Sequence, residues 1–100
     1  METMMGYMLK TTFWQDFTIA DRFGVKAVKS TFKRAFNGWK DNYIYLTELA
    51  IVMNWKLWEH YENKNNELAE LYRDYFWKVQ NYAYENLEGE ELKFYLETTD

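Results

Sequence analysis

The chain has no cysteine, no proline, four glycines, one histidine and a single serine among its 100 residues. Without cysteine there are no disulfides, no thiolate zinc sites and no cysteine nucleophile. Without proline, no ring clash or missing N–H interrupts a helix. The punctuation that remains is Gly6, Gly24, Gly38, Gly89 and the Asn-rich stretch from Asn63 to Asn66. Long apolar runs are also missing: the longest, Leu49 to Met53, is far short of the roughly 20 residues that span a bilayer. Glu2 precedes any apolar run and no basic segment stands before it, so no signal peptide is expected and a cytoplasmic location is. There is no repeat, linker or low-complexity tract.

What is present is apolar and aromatic surface. Hydrophobic residues make up 48% and aromatics 21% of the chain, enough to offset the entropy of ordering it. This length buries on the order of 60–65% of the unfolded surface around one core, so a single domain is expected.

Apolar residues recur at three- and four-residue spacing, which predicts an all-α fold: a compact bundle of three main helices plus a short N-terminal one. Thr12 and Gln15 have the form of a capping box, so the short helix is expected over Phe13–Phe23, stopping at Gly24. The domain is thus 13–100, with 1–12 as an extension whose order is open. A second helix, Val25 to about Lys40, carries Val28, Phe32, Ala35 and Phe36 on one face. A third, Tyr43 to Glu62, is apolar around more than half its circumference and is expected at the centre. A fourth, about Asn66 to Leu87, has a four-turn stripe from Leu68 through Tyr72, Tyr75, Phe76 and Val79 to Ala83. The tail from Glu90 is either a last helical turn or a short strand through Leu92, Phe94 and Leu96 pairing with Tyr7 and Leu9; it is too short for periodicity to decide.

The order Phe13-Trp14-x-Asp16-Phe17, Ala20-Asp21-x-Phe23-Gly24, Arg34-Ala35-Phe36, Tyr45-Leu46-Thr47-Glu48-Leu49, Asn54-Trp55-Lys56 and Thr98-Thr99-Asp100 resembles a family of small uncharacterised proteins carried on conjugative transposons of anaerobic gut bacteria. The resemblance covers Phe13 to Asp100. It implies a mobile-element setting and a cytoplasmic location, and it assigns no activity and no functional residue.

Chemistry-bearing patterns are sparse. His60 has Lys56 and Lys64 as its i−4 and i+4 neighbours, cations that oppose a metal there, and it is expected as a partly exposed residue at the core edge. Ser30 has no carboxylate within four residues and no histidine nearby. The acidic pairs Glu90-Glu91 and Glu67-Glu70 read as solvated surface. Thr47 and Asn54 fall within the third helix's apolar arc and are expected to bridge helices by hydrogen bonds. No cofactor or metal is expected, and the expected role is non-enzymatic.

Two surface features stand out. Residues 22 to 40 carry six positive charges and no negative one in a chain of net charge −4. Of these, Arg22, Lys26, Lys29, Lys33 and Lys40 form a basic stripe beside the second helix's apolar face. Residues 59 to 100 hold 11 Asp+Glu against 4 Lys+Arg, and Glu67, Glu70, Asp74, Glu85 and Glu88 flank the fourth helix's stripe. The expectation is that the two flanks pair within the chain or between copies; the alternative is that the stripe binds nucleic acid. The other feature is Arg73, Trp77, Gln80 and Tyr84, on the side of the fourth helix away from its apolar stripe. Large aromatics with an arginine have the composition of a protein-binding hot spot. The combined expectation is a small protein–protein interaction module that self-associates, an accessory protein of a mobile element.

Overall fold

The computed structural model describes the backbone of residues 2–99 and the side chains of residues 12–99. Five helices follow one another: α1 (Glu2–Phe23), α2 (Val25–Trp39), α3 (Tyr43–Glu62), α4 (Asn66–Asn86) and α5 (Gly89–Thr99). They fold into a body of 37 × 23 × 22 Å. No helix is long and apolar enough to cross a membrane among the described residues.

The boundaries follow local chemistry. Gly24 separates α1 from α2 at φ 101°, a conformation that side chains with a Cβ rarely adopt, and its N–H donates to the Ala20 carbonyl at 3.1 Å. Asn42 caps α3 by accepting from the N–H groups of Ile44 and Tyr45 at 3.1 and 3.3 Å, a device contributing about 1 kcal/mol. At the other end of α3, Lys64 takes φ 60°. The N–H of Asn65 donates to the His60 carbonyl at 2.8 Å and that of Lys64 to Tyr61 at 3.1 Å, the paired bonds of a Schellman motif with lysine in the usual glycine position.

Helix α3 is central, packing against α1, α2, α4 and α5. Its buried residues Leu46, Leu49, Ala50, Val52 and Met53 meet Phe13 and Phe17 of α1, Val28, Phe32 and Phe36 of α2, and the Leu68–Ala83 stripe of α4 in one cluster. Aromatic pairs fix the seams: Phe32 stacks on Tyr75 at 3.9 Å between centroids, and Phe36 meets Tyr82 edge-on at 5.3 Å.

Two expectations are corrected. The N-terminal helix is 22 residues long rather than a short one from Phe13. Residues 2–12 contain no proline and are mostly good helix formers, so the helix continues upstream and Thr12 lies in its interior, not at a cap. The tail is helix α5, not a strand. Tyr95 is fully buried with Leu92 one turn earlier packed against the core, a three-residue spacing that only a helix puts on one face. The side chains of Tyr7 and Leu9 lie outside the described residues, but both segments have helical backbone, so no strand ladder joins them.

Candidate functional site

The interior of the α1–α3–α4 junction is polar. On α3, the buried row Leu46, Leu49, Met53 continues at the same three- and four-residue spacing with Lys56 and His60, both buried. Facing them on α1 is Asp21, one turn beyond Phe17, and on α4 is Tyr72, fully buried within the apolar stripe. The Lys56 ammonium donates to Thr18 Oγ1 at 2.7 Å, Asp21 Oδ2 at 3.1 Å and Glu59 Oε2 at 3.2 Å. Its three N–H groups thus meet three acceptors. The same nitrogen sits 4.1 Å from the centre of the Trp14 ring. Asp21 Oδ1 accepts from the Tyr72 hydroxyl at 2.6 Å, and Oδ2 is hydrogen-bonded to His60 Nε2 at 2.8 Å. A carboxylate only accepts, so the imidazole presents Nε2–H. Its ring stacks on Tyr72 at 5.4 Å.

This arrangement corrects the reading of His60 as a partly exposed edge residue, and Lys56 is its co-ligand on Asp21 rather than merely a repelling neighbour. Burial, reinforced by the hydrogen bond to the Asp21 carboxylate, pushes the Tyr72 phenol far above its usual range. One oxygen from each of Asp21 and Glu59 and a ring nitrogen of His60 lie within 4.8 Å of one another, the outline of a metal site. The donor set does not fit one as it stands, because the Lys56 ammonium already bridges both carboxylates where a cation would sit. None of the cavities described below is lined by these groups. The network can clamp α1 to α3 and α4.

Accessible chemistry lies on the opposite side of α3. A groove of about 730 Å³ runs between the C-terminal half of α3 and the N-terminal half of α4, lined by Asn54, Leu57, Trp58, Tyr61, Asn66, Ala69, Glu70, Arg73, Phe76 and Trp77. Trp58, Tyr61 and Trp77 are 55%, 62% and 54% exposed, so these rings stand at the mouth of the groove rather than in the core. Helical geometry makes this groove the continuation of the seat of α5. Tyr43, Thr47, Asn54 and Tyr61 lie on one row of α3, and Arg73, Trp77 and Gln80 on one row of α4. At the far end of these rows α5 is docked: Phe94 packs edge-on against Tyr43 at 5.4 Å, and the Tyr95 hydroxyl donates to Gln80 Oε1. With 11 residues against 20 and 21, α5 is about half as long as α3 and α4, and no residue of α5 lines the groove.

The four residues read as a protein-binding face therefore divide. Arg73 and Trp77 line the open groove. The Gln80 carbonyl is engaged by α5, and its amide lies 3.5 Å from the Tyr84 hydroxyl, while Tyr84 is half exposed beyond the groove. Trp58 and Tyr61 belong to the same surface, and residue order did not single them out. Asn54 lines this groove instead of bridging helices, and Thr47 donates to its own helix at the Tyr43 carbonyl, 2.7 Å away.

The basic stripe is placed on the surface. Arg22, Lys26, Lys29 and Lys33 are exposed, and among the described residues no carboxylate lies within ion-pair distance of any of them. Within the chain, the expected pairing with acidic residues of α4 is thus not formed as direct ion pairs among the described residues. Aromatic contacts at the α2–α4 seam hold the flanks apart, and Lys40 turns onto them, 5.6 Å from the ring centres of Phe36 and Tyr82. Arg34 lies apart, 3.4 Å from Thr31 Oγ1. Smaller cavities of about 260 and 210 Å³ between α1 and α2 share Asp16, Thr31 and Arg34.

No family model matches the chain, and no curated protein or solved structure matches it.

Proposed function

We propose that the protein is a non-enzymatic interaction module that receives an amphipathic helix of another polypeptide in the α3/α4 groove. The observation that carries this reading is the open groove: α5 is docked on the same two helices at one end through Phe94 and Tyr95, and the other end presents exposed Trp58, Tyr61 and Trp77. A helix laid against these rows, with an aromatic or other large apolar side chain entering the groove, is the complementary shape. Glu70 and Arg73 at the rim give polar specificity, and the aromatic rings supply most of the contact energy. The resemblance to mobile-element proteins fits an accessory role in the cytoplasm, with a partner in the transfer machinery or a host defence system.

The test is site-specific photo-crosslinking in the native host, with a benzophenone amino acid replacing Tyr61 or Trp77 and Ser30 as the exposed control site. Polypeptide adducts are expected from positions 61 and 77, with attachment points on the partner recurring every three or four residues. Adducts no more abundant than those from position 30 would overturn the reading.

The uncompensated cations of α2 favour a second reading, nucleic-acid binding through Lys26, Lys29 and Lys33. The net charge of −4 opposes it. Titration of labelled single-stranded and duplex DNA at two salt concentrations is expected to show binding weaker than micromolar at physiological salt. Submicromolar binding, lost in the triple Lys→Gln variant with a salt slope reduced by about one unit per lysine, would promote the second reading.

A further inference from the structure

We infer that the occupant of the open groove is a second copy of this chain, docked about a two-fold axis that passes between Glu70 and Arg73 of α4. The inference rests on the groove being a protein-docking site and names its partner.

The rim charges carry it. At about 100° per residue, Asn66, Glu70, Arg73 and Trp77 fall within a strip of α4 roughly 60° wide, and all four line the groove. A two-fold contact is self-complementary: each residue meets the residue related to it by the axis, in both directions. Two α4 helices crossing antiparallel about a point between residues 70 and 73 set Glu70 of each copy against Arg73 of the other. Glu70 and Arg73 are the charged residues that line the groove, and in that arrangement they form two ion pairs. The same register brings Trp77 of each copy to the level of Asn66 in the other. That level is beside Tyr61, because the α3–α4 turn at residues 63–65 puts Tyr61 and Asn66 side by side. Each groove thus receives the tryptophan of its neighbour.

The surface available is of the right order. Half-exposed Trp58, Tyr61 and Trp77 each offer on the order of 100 Å², and with their polar and aliphatic neighbours the patch reaches roughly 600 Å² a side, at the low end of specific interfaces. A dimer in the micromolar range is expected. Arg73 also lies 3.8 Å from Asp74 within its own helix, but both side chains are more than half exposed, so that contact is readily exchanged.

Sedimentation equilibrium of the full chain, alone and with charge-swapped variants, tests the proposal. Wild type is expected to be a micromolar dimer. Glu70→Arg opposes two arginines across each pair, and Arg73→Glu opposes two glutamates, so each variant alone should dimerise at least about tenfold more weakly. An equimolar mixture of the two should recover wild-type association, since every contact is then of opposite sign. Both sites are exposed, and unchanged circular dichroism will show that the variants fold. Wild type that stays monomeric at submillimolar concentration overturns the second-copy inference alone; the groove is then tested by its crosslinks to other polypeptides. A wild-type dimer that neither variant weakens, or a mixture that does not recover, also overturns it.

Discussion

Asp21→Ala is expected to lower the free energy of unfolding by about 3–5 kcal/mol. The carboxylate is the shared acceptor for Lys56, His60 and Tyr72. Its removal leaves a buried ammonium short of an anion, and a buried hydroxyl and a ring N–H without partners, each of which carries a desolvation cost of about 1–3 kcal/mol. For a domain whose total stability is about 5–15 kcal/mol, that is a large fraction. Urea denaturation should show a lower midpoint with an unchanged slope. Glu59→Gln, which removes the more exposed partner of Lys56, should cost no more than about 1 kcal/mol. Pairing Asp21→Ala with Lys56→Ala should cost less than the two single losses added together, because the second change removes the stranded charge. A loss below about 1 kcal/mol for Asp21→Ala alone would show that the network does not clamp α1.

The second large effect is alkaline unfolding. Burial pushes the phenols of both Tyr72 and Tyr95 well above the usual range, in Tyr72 with the Asp21 carboxylate adding to it. A raised folded-state pKa means that the neutral form is favoured in the native state. Stability is then fully present below the unfolded value near pH 10 and is lost as pH rises above it. Each such tyrosine contributes a loss of about 1.4 kcal/mol per pH unit, so the pair should remove about 5 kcal/mol between pH 10 and pH 12. Chemical denaturation at a series of alkaline pH values measures the slope directly. Tyr95→Phe removes one of these titrations and should reduce the slope by about 1.4 kcal/mol per pH unit. A stability that stays flat to pH 12 would mean that these hydroxyls ionise without leaving the core.

The candidate surfaces differ in how far they could be read from residue order. Trp77 and Arg73 were visible because they break the polar pattern of the outer face of α4, a local signal at helical spacing. Trp58 and Tyr61 gave no such signal, because α3 is apolar around most of its circumference and nothing in its own sequence says which side is left uncovered. Gln80 looked like part of the same face until α5 was placed over it, and that depends on a contact between residues 80 and 95. The polar network joins residues 35 to 51 positions apart, beyond the reach of any periodicity. It did leave one trace: Lys56 and His60 fall on the same row as Leu46, Leu49 and Met53, polar residues where the stripe calls for apolar ones.

The sequence by itself determined the helical class, the single core and most of the helix limits, because spacing, Gly24 and the Asn-rich stretch from Asn63 to Asn66 act within a few residues of one another. It misplaced the start of α1 at Phe13, since a capping pattern is also compatible with the middle of a longer helix, and it left the tail undecided, whose burial depends on α3 and α4. Tertiary structure alone decided that Asp21 meets Lys56, that the acidic and basic flanks stay apart across an aromatic seam, and that α5 docks at one end of α3 and α4 and leaves the groove at the other end open. These are contacts between distant segments, fixed by which faces the packing consumes and which it leaves open.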